Sequence, residues 1–380
     1  MTEKKQTKLQ RVLQVNLEDS GGAFSLVFQL QKQLKGRIAF DYYSMGTFRS
    51  IEVVKTIEEL GGNVYEADLR ANRFIGSVLL PNKFYHFLRE RHYDCVHIHS
   101  DTAWKLLLYA FPATKAGVEK VIIHSHSTDI NGDFRWLKRL CHKMALRLLP
   151  KYANVYLACS DYAMDWMFPQ IPNNKIIWIR NGIDTQKFSF NEDYRNVFRE
   201  KLGISSNIIL IGVVGDMSFP KNPCFIVDVF AELSKITENY RLVFVGEGLN
   251  TDNIKKYVAE KGLNDFVIFY GRTQYVERVL SGLDIFALPS RFEGLPVSVI
   301  EAEASGLPCV ISSKITRQTD IINGCRFIEI QERNKKEWAD AIFSLSIPSN
   351  EERKMAWKKV QDEGFGIDTT AKQMMEIYKE

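Results

Sequence analysis

Short apolar runs alternate with helical patterns along the whole of this chain, and that alternation narrows its possible folds more than any other feature. The first half carries VLQVN, RIAFDYY, NVYEAD, DCVHIHS, KVIIHSHS, NVYLACS and KIIWIRN; after Asn181 a second series follows, NIILIGVVGD, RLVFVGEG, FVIFYG, DIFALPS and LPCVIS. Strands separated by helices pair in parallel, so the pattern predicts parallel sheets covered on both faces. A chain of 380 residues with 45% hydrophobic content exceeds one ordinary α/β core and can bury two, of about 100–200 residues each. The break is placed between Asn181 and Phe190, where NGIDTQKF interrupts the pattern with glycine and polar residues.

Several classes are disfavoured at once. The opening MTEKKQTKLQ is polar and basic and runs straight into RVLQVNL, so no apolar signal segment is read there. No stretch reaches the ~18 apolar residues of a membrane span, and the expected location is the cytosol. Six cysteines without C-x-x-C spacing (Cys95, Cys141, Cys159, Cys224, Cys309, Cys325) read as reduced, packed thiols rather than as disulfides or a zinc site. A net charge of +4 is too small to argue for nucleic acid. Neither half carries G-x-G-x-x-G after its first strand, which weakens a dehydrogenase reading.

Chemistry concentrates in PSRFEGLPVSVIEAEASGLPCVIS, Pro289 to Ser312. The apolar run Asp284 to Pro289 places Arg291 to Leu295 at the carboxyl end of a parallel strand, where open α/β sheets bind ligands. Pro296 suits the first helical position, and the amides of Gly294 and Leu295 then face an anion such as a phosphate. Glu293 precedes this helix, while Glu301 lies more than one turn inside it, beside Val297 and Ser298. A carboxylate accepts hydrogen bonds from both hydroxyls of a cis-diol, so one glutamate suits a ribose and the other a sugar. The plainer alternative is a helix-dipole partner at Glu293 and a solvated helix residue at Glu301. Lys221, at the start of the helix after NIILIGVVGD, can bring an ammonium to the same phosphates.

These motifs resemble those of the retaining glycosyltransferases of family 4. E-G-L-P-V-S-V-I-E-A followed by Gly306, Leu307 and Pro308 is similar to their E-x7-E signature. VIIHSHS (Val121–Ser127) resembles their central histidine strand, RNGID (Arg180–Asp184) their linker motif, VVGDMSFPKN (Val213–Asn222) their phosphate loop and LVFVGEG (Leu242–Gly248) the next strand and turn. The likeness runs over nearly the whole chain and is nearest to the branch that builds bacterial capsular and extracellular polysaccharides. It implies an α/β GT-B fold, two Rossmann-like domains with parallel sheets facing across a cleft. The first is residues 1–183, acceptor-binding, with a carboxyl-terminal helix 365–380 crossing back; the second, 184–364, takes the nucleotide-sugar.

The resemblance also implies roles. His126, Lys221 and Glu293 become the catalytic candidates: His126 orients hydroxyls, Lys221 holds the diphosphate, and Glu293 holds the donor sugar. Gly21, Gly22, Asp216, Tyr270, Gly271, Arg272, Gly294, Leu295 and Glu301 become donor-binding candidates, with Glu301 on the ribose and Tyr270–Arg272 near the base. Asp216 departs from the pattern, since many relatives place arginine directly after the glycine that corresponds to Gly215. A carboxylate beside a diphosphate is repulsive, so either Asp216 points away or a cation such as Arg272 or Arg291 compensates.

The implied reaction moves a sugar from a nucleoside-diphosphate donor, expected to be a UDP-sugar, to a hydroxyl of a growing, lipid-diphosphate-linked bacterial surface glycan with retention. No cofactor or metal is expected. His97 and His99 alternate on one strand, but a metal there is discounted because GT-B enzymes generally work without one and no D-x-D pair follows a strand. A UDP-sugar 2-epimerase of the same architecture and a non-catalytic sugar-nucleotide or glycan-binding subunit are the alternatives.

DFRWLKRLCHKMALRLLPK, Asp133 to Lys151, reads as a basic amphipathic helix. It either packs its apolar stripe on the sheet and exposes its charges, the reading preferred here, or lies on an anionic membrane at the inner face.

Overall fold

The computed structural model describes residues 10–19, 21–69 and 73–379. Residues 1–9 of the basic amino-terminal segment read above, and Glu380 at the end of the expected crossing helix, lie outside the described residues. The chain forms two compact units, 1–182 with 367–380 and 183–366.

The first unit is built on seven parallel strands: β1 (Gln10–Val15), β2 (Ile38–Ser44), β3 (Val64–Glu66), β4 (Cys95–Ser100), β5 (Lys120–Ser125), β6 (Val155–Ala158) and β7 (Ile176–Trp178). Their order is β3-β2-β1-β4-β5-β6-β7. The chain winds outward in one direction from β1 and in the other from β4, so the carboxyl ends of these two strands flank the switch point of the sheet. Buried side chains including Val12, Phe40, Ile122 and Leu157 form the core. The helix Ile367–Lys379 belongs to this unit and packs Ile367, Met374, Ile377 and Tyr378 into that core.

The second unit repeats the plan with β8 (Ile209–Val214), β9 (Tyr240–Val245), β10 (Val267–Gly271), β11 (Ile285–Leu288), β12 (Cys309–Ser312) and β13 (Cys325–Ile328), in the order β10-β9-β8-β11-β12-β13. Its switch point lies between β8 and β11. Ile211, Phe225, Phe230, Phe244 and Trp338 anchor its core. The sequence pattern does not announce β13: CRFI is short, on the sheet edge, and only Ile328 is buried. An edge strand with one covered face carries no continuous apolar run to recognise.

Two local boundaries differ from expectation. Pro296 is the N-cap of the helix Val297–Ala304, not its first residue, because its ψ of 103° is extended. Lys221 precedes the Pro223–Ser234 helix, whose N-cap Asn222 takes a left-handed φ of 55°. Cys95, Cys159 and Cys309 are buried, whereas Cys141 and Cys224 are exposed rather than packed. Among the described residues no helix is long and apolar enough to cross a membrane.

Candidate active site

The loops after β8 and β11 meet at the switch point of the second unit. Lys221 Nζ lies 2.8 Å from Glu293 Oε1, with both side chains largely buried. Ser290 Oγ donates to the same carboxylate oxygen at 2.7 Å. The two loops are also tied by their backbones, since Arg291 N–H donates to Pro220 O at 2.7 Å, and the Arg291 guanidinium donates to Phe219 O at 2.7 Å while lying over the Phe219 ring. Two residues 72 positions apart, Lys221 and Glu293, therefore converge through loop contacts that no local pattern encodes.

The neighbouring strands add a backbone floor. Gly215 N–H donates to Val245 O and Gly246 N–H to Gly271 O, both at 2.9 Å. Gly246 has a φ of +133°, and a Cβ there would stand 2.0 Å from Gly215 O, so only glycine lets these turns approach so closely. Asp216 is exposed and makes no ion pair among the described residues. Arg272 lies 3.6 Å from Glu247, both largely exposed. The Tyr270 side chain turns away to Lys201, whose Nζ donates to its hydroxyl at 3.2 Å, and packs on Phe198.

Glu301 lies one turn beyond Ser298 on the Val297–Ala304 helix. Desolvation is the main cause that lifts its pKa to about 8; Lys187 and Lys221 oppose the shift and Glu277 adds to it. The group is thus largely protonated at neutral pH and can donate as well as accept. Ser298 Oγ is buried with no hydrogen-bond partner among the described residues. An unsatisfied hydroxyl in that position marks a place for a ligand's polar atom, and the sequence motif did not single it out.

The first unit presents different chemistry. Gly21, with φ +91°, is the N-cap of the helix Gly22–Gln33 and turns the chain just beyond β1. On β4, on β5 and just beyond the end of β5, four histidines lie side by side. His126 Nε2 is 2.9 Å from His99 Nδ1, and His99 Nε2 is 2.9 Å from Gln14 Oε1. His97 Nε2 is 3.2 Å from His124 Nδ1, and His97 Nδ1 is 2.7 Å from the Tyr378 hydroxyl. Gln14 Nε2 donates to that hydroxyl at 3.0 Å and joins the two rows. The rings of His97 and His124 stack, as do those of His99 and His126. Burial holds all four imidazoles well below their ordinary range, that of His126 at about 4. His97, His99 and His124 offer atoms within 4.8 Å of one another, and of their ring nitrogens all but His124 Nε2 are engaged in hydrogen bonds.

The basic segment does not pack as expected. It is broken into the helices Arg135–Leu146 and Leu149–Tyr152, and Phe134, Trp136, Leu137, Leu140, Met144 and Leu148 are all exposed, Trp136 at 70%. The inward face of the longer helix carries only His142 and Ala145. His142 stacks on Trp166 at 4.0 Å and accepts the Ala103 N–H at Nδ1. That anchor is small, so the large apolar side chains are left outside. Arg135 and Arg139 both pair with Asp129. Beside them lies a cavity of about 330 Å³ lined by Thr128, Asp129, Arg139, His142, Lys143 and Trp166.

Comparison with known proteins agrees with this architecture. Residues 20–187 match the model of Glycosyltransferase Family 4, and residues 195–361 match that of Glycosyl transferases group 1. The chain is 26% identical over 370 residues to the putative glycosyltransferase EpsF of Bacillus subtilis, covering 94% of this chain and 93% of that one. It is 29% identical over 245 residues to the UDP-Gal:alpha-D-GlcNAc-diphosphoundecaprenol alpha-1,3-galactosyltransferase of Escherichia coli, 60% of each chain. Among solved structures, HepE of Anabaena in complex with UDP-glucose superimposes with a TM-score of 0.74 at 18% identity, covering 97% of this chain and 99% of that one.

Proposed function

We propose that this chain, which belongs to the family 4 glycosyltransferases of GT-B fold and acts in polysaccharide biosynthesis, transfers a sugar from a UDP-sugar to a hydroxyl of a lipid-diphosphate-linked glycan, with the anomeric configuration retained. The observation that carries the reading is the Lys221–Glu293 pair at the β8–β11 switch point. In this pair each group neutralises the other. A diphosphate offers Lys221 a stronger anionic partner, and Glu293 is then released to accept hydrogen bonds from donor-sugar hydroxyls.

The chemical task is to stabilise negative charge as the sugar–phosphate bond loosens. Lys221 supplies a cation, and the backbone around Gly294 and Leu295 at the helix start supplies a favourable dipole. Glu301 is assigned to the ribose and Tyr270–Arg272 to the base, the latter through backbone groups because the Tyr270 side chain is held by Lys201. The glycine turn Gly21–Gly22 serves the diphosphate, and His126 orients hydroxyls. No enzyme carboxylate acts as a nucleophile: the acceptor hydroxyl passes its proton to the departing phosphate oxygen on the same face. The residues suffice for this without a metal.

The Escherichia coli relative carries diphosphoundecaprenol in its name, and the first unit has groups suited to such an acceptor. The exposed Trp136, Leu140 and Met144 beside Lys138 and Lys143 suit an anionic membrane surface, so peripheral association at the cytoplasmic face of the inner membrane follows. A thermal-shift screen of UDP-, GDP- and ADP-sugars ranks the donors. Transfer to an undecaprenyl-diphosphate-linked acceptor, followed by NMR of the product's anomeric centre, then tests the reaction. An inverted centre defeats the retaining mechanism, and stabilisation by GDP- or ADP-sugars alone defeats the UDP assignment.

A further inference from the structure

We infer that Gln14, His99 and Tyr378 are positioning residues that set the tautomer of His126, so that His126 meets a sugar hydroxyl with an unprotonated Nδ1 and accepts its hydrogen bond. The part concerning the hydroxyl rests on the function proposed above; the tautomer itself does not.

A neutral imidazole has one donor nitrogen and one acceptor nitrogen, so fixing one fixes the other. The amide of Gln14 starts the sequence of constraints. Its Nε2 donates to the Tyr378 hydroxyl, and its Oε1, which can only accept, faces His99 Nε2 at 2.9 Å. His99 therefore carries its proton on Nε2 and offers a bare Nδ1. His126 Nε2, 2.9 Å away, must then be the donor to it. What remains on His126 is Nδ1 with a lone pair, since the ring's hydrogen bond among the described residues is made through Nε2.

The second row obeys the same logic. Having accepted from Gln14, the Tyr378 hydroxyl donates to His97 Nδ1, and His97 Nε2–H donates to His124 Nδ1. His124 Nε2 then ends the row, buried and without a partner among the described residues. The whole array is one chain of hydrogen bonds with two ends. One end, at His124, is sealed in the protein; the other, at His126, belongs to a residue that is only partly buried. A ligand can complete only the second. Because each link dictates the next, no single imidazole can reverse its polarity unless its neighbours reverse with it.

Burial is the largest influence on each ring, and for His97, His99 and His124 the neighbouring imidazoles add to it, all opposing protonation. The tautomer argument, which holds only for neutral rings, thus applies at neutral pH. Accepting a hydrogen bond from a hydroxyl makes its oxygen more electron-rich without moving the proton, which aids orientation but requires no base.

The direct test is two-bond proton–nitrogen NMR on the full chain labelled with 15N-histidine, with the His126 signals identified by their loss in His126→Asn. The expected result is a neutral ring protonated at Nε2 for His126 and His99. A His126 ring protonated at Nδ1, as would follow from the opposite orientation of Gln14, overturns the inference whatever the enzyme transfers. So does a stoichiometric transition metal retained by the purified protein and lost in His97→Ala, because ligation would consume the nitrogens that carry the chain. In Tyr378→Phe, Gln14 loses the partner that orients it. His126 should then show mixed tautomers, and kcat should fall about tenfold, the loss of one well-placed hydrogen bond, with the donor KM little changed. If that variant unfolds, the wild-type spectrum still decides; a folded Tyr378→Phe with an unchanged His126 tautomer removes Tyr378 from the assignment.

Discussion

The two sheets carry the same topology at their switch points but opposite electrostatics. Beyond β8 and β11 the second unit gathers charge, Lys221 against Glu293, with the raised carboxyl of Glu301 on the helix that follows. Around β1, β4 and β5 the first unit gathers neutral groups, four imidazoles, the Gln14 amide and the Tyr378 phenol from the Ile367–Lys379 helix, joined by hydrogen bonds. A parallel sheet dictates where side chains meet, not what they do there. Under the proposed function, handling a departing diphosphate requires fixed charge, whereas orienting hydroxyls requires fixed hydrogen-bond directions, and the two arrays match these two needs.

Breaking the charged half should have the largest effect. Lys221→Ala is expected to lower kcat by about 100- to 1,000-fold, the size of removing a main stabiliser of transition-state charge; turnover within tenfold of wild type at saturating donor would remove Lys221 from the mechanism. Next in size is the exposed apolar and basic helix Arg135–Leu146 of the first unit, proposed above to meet a membrane. Arg135 and Arg139 are committed to Asp129, so the informative variant replaces Trp136 and Met144 with serine and Lys138 and Lys143 with glutamine. Its binding to phosphatidylglycerol vesicles should weaken at least about tenfold, with folding unchanged. Equal sedimentation with vesicles would return this helix to an ordinary surface.

The comparison also predicts opposite responses to pH. The depressed histidines of the first unit resist protonation that the unfolded chain accepts near pH 6.5, so their contribution is complete above that value and is lost as pH falls, towards about 4 for His126. In the second unit desolvation raises Glu303 to about 7 and Glu301 to about 8. Their contribution is complete below about 4.5 and is lost as pH rises through 7 and 8. Pulsed hydrogen exchange at one fixed labelling pH, after incubation at pH 5 or pH 9 in mild urea, should open the first unit in acid and the second in alkali. Simultaneous opening at both ends would erase the distinction.

The smallest effect sharpens the role of Glu301. Glu301→Gln removes a buried ionisation and should raise Tm at pH 9, by roughly 2–4 °C for each 1 kcal/mol relieved, with little change at pH 5. In the wild type, a ribose diol that donates to Glu301 favours its ionised form. Binding of UDP-glucose at pH 7.5 should therefore release a proton, detectable by calorimetry in buffers of different ionisation enthalpy. No release, or proton uptake, would move the ribose to another partner.

Much of this was legible beforehand, and for stated reasons. Twelve strands follow from their apolar runs, including the edge strands β3 and β10; β13, short and half-exposed at an edge, does not. Glu293 and Lys221 stood out because glycine and proline beside a charged residue mark a strand end where backbone and ligand approach closely. The basic helix misled because its apolar spacing describes a stripe but not which way the stripe faces. Burial of His142 and Ala145 settled that, leaving Trp136 and Met144 outside.

The order of apolar runs and turn residues by itself determined that this chain would build two parallel sheets and which loops would carry its charged groups, since strand burial and turn chemistry are local properties. Only the tertiary structure decided that Lys221 touches Glu293, and that Tyr378, 364 positions from Gln14, closes the histidine array. The direction of a hydrogen bond and the desolvation of a carboxyl depend on neighbours brought in from distant parts of the chain, and no local run of residues records which neighbours those will be.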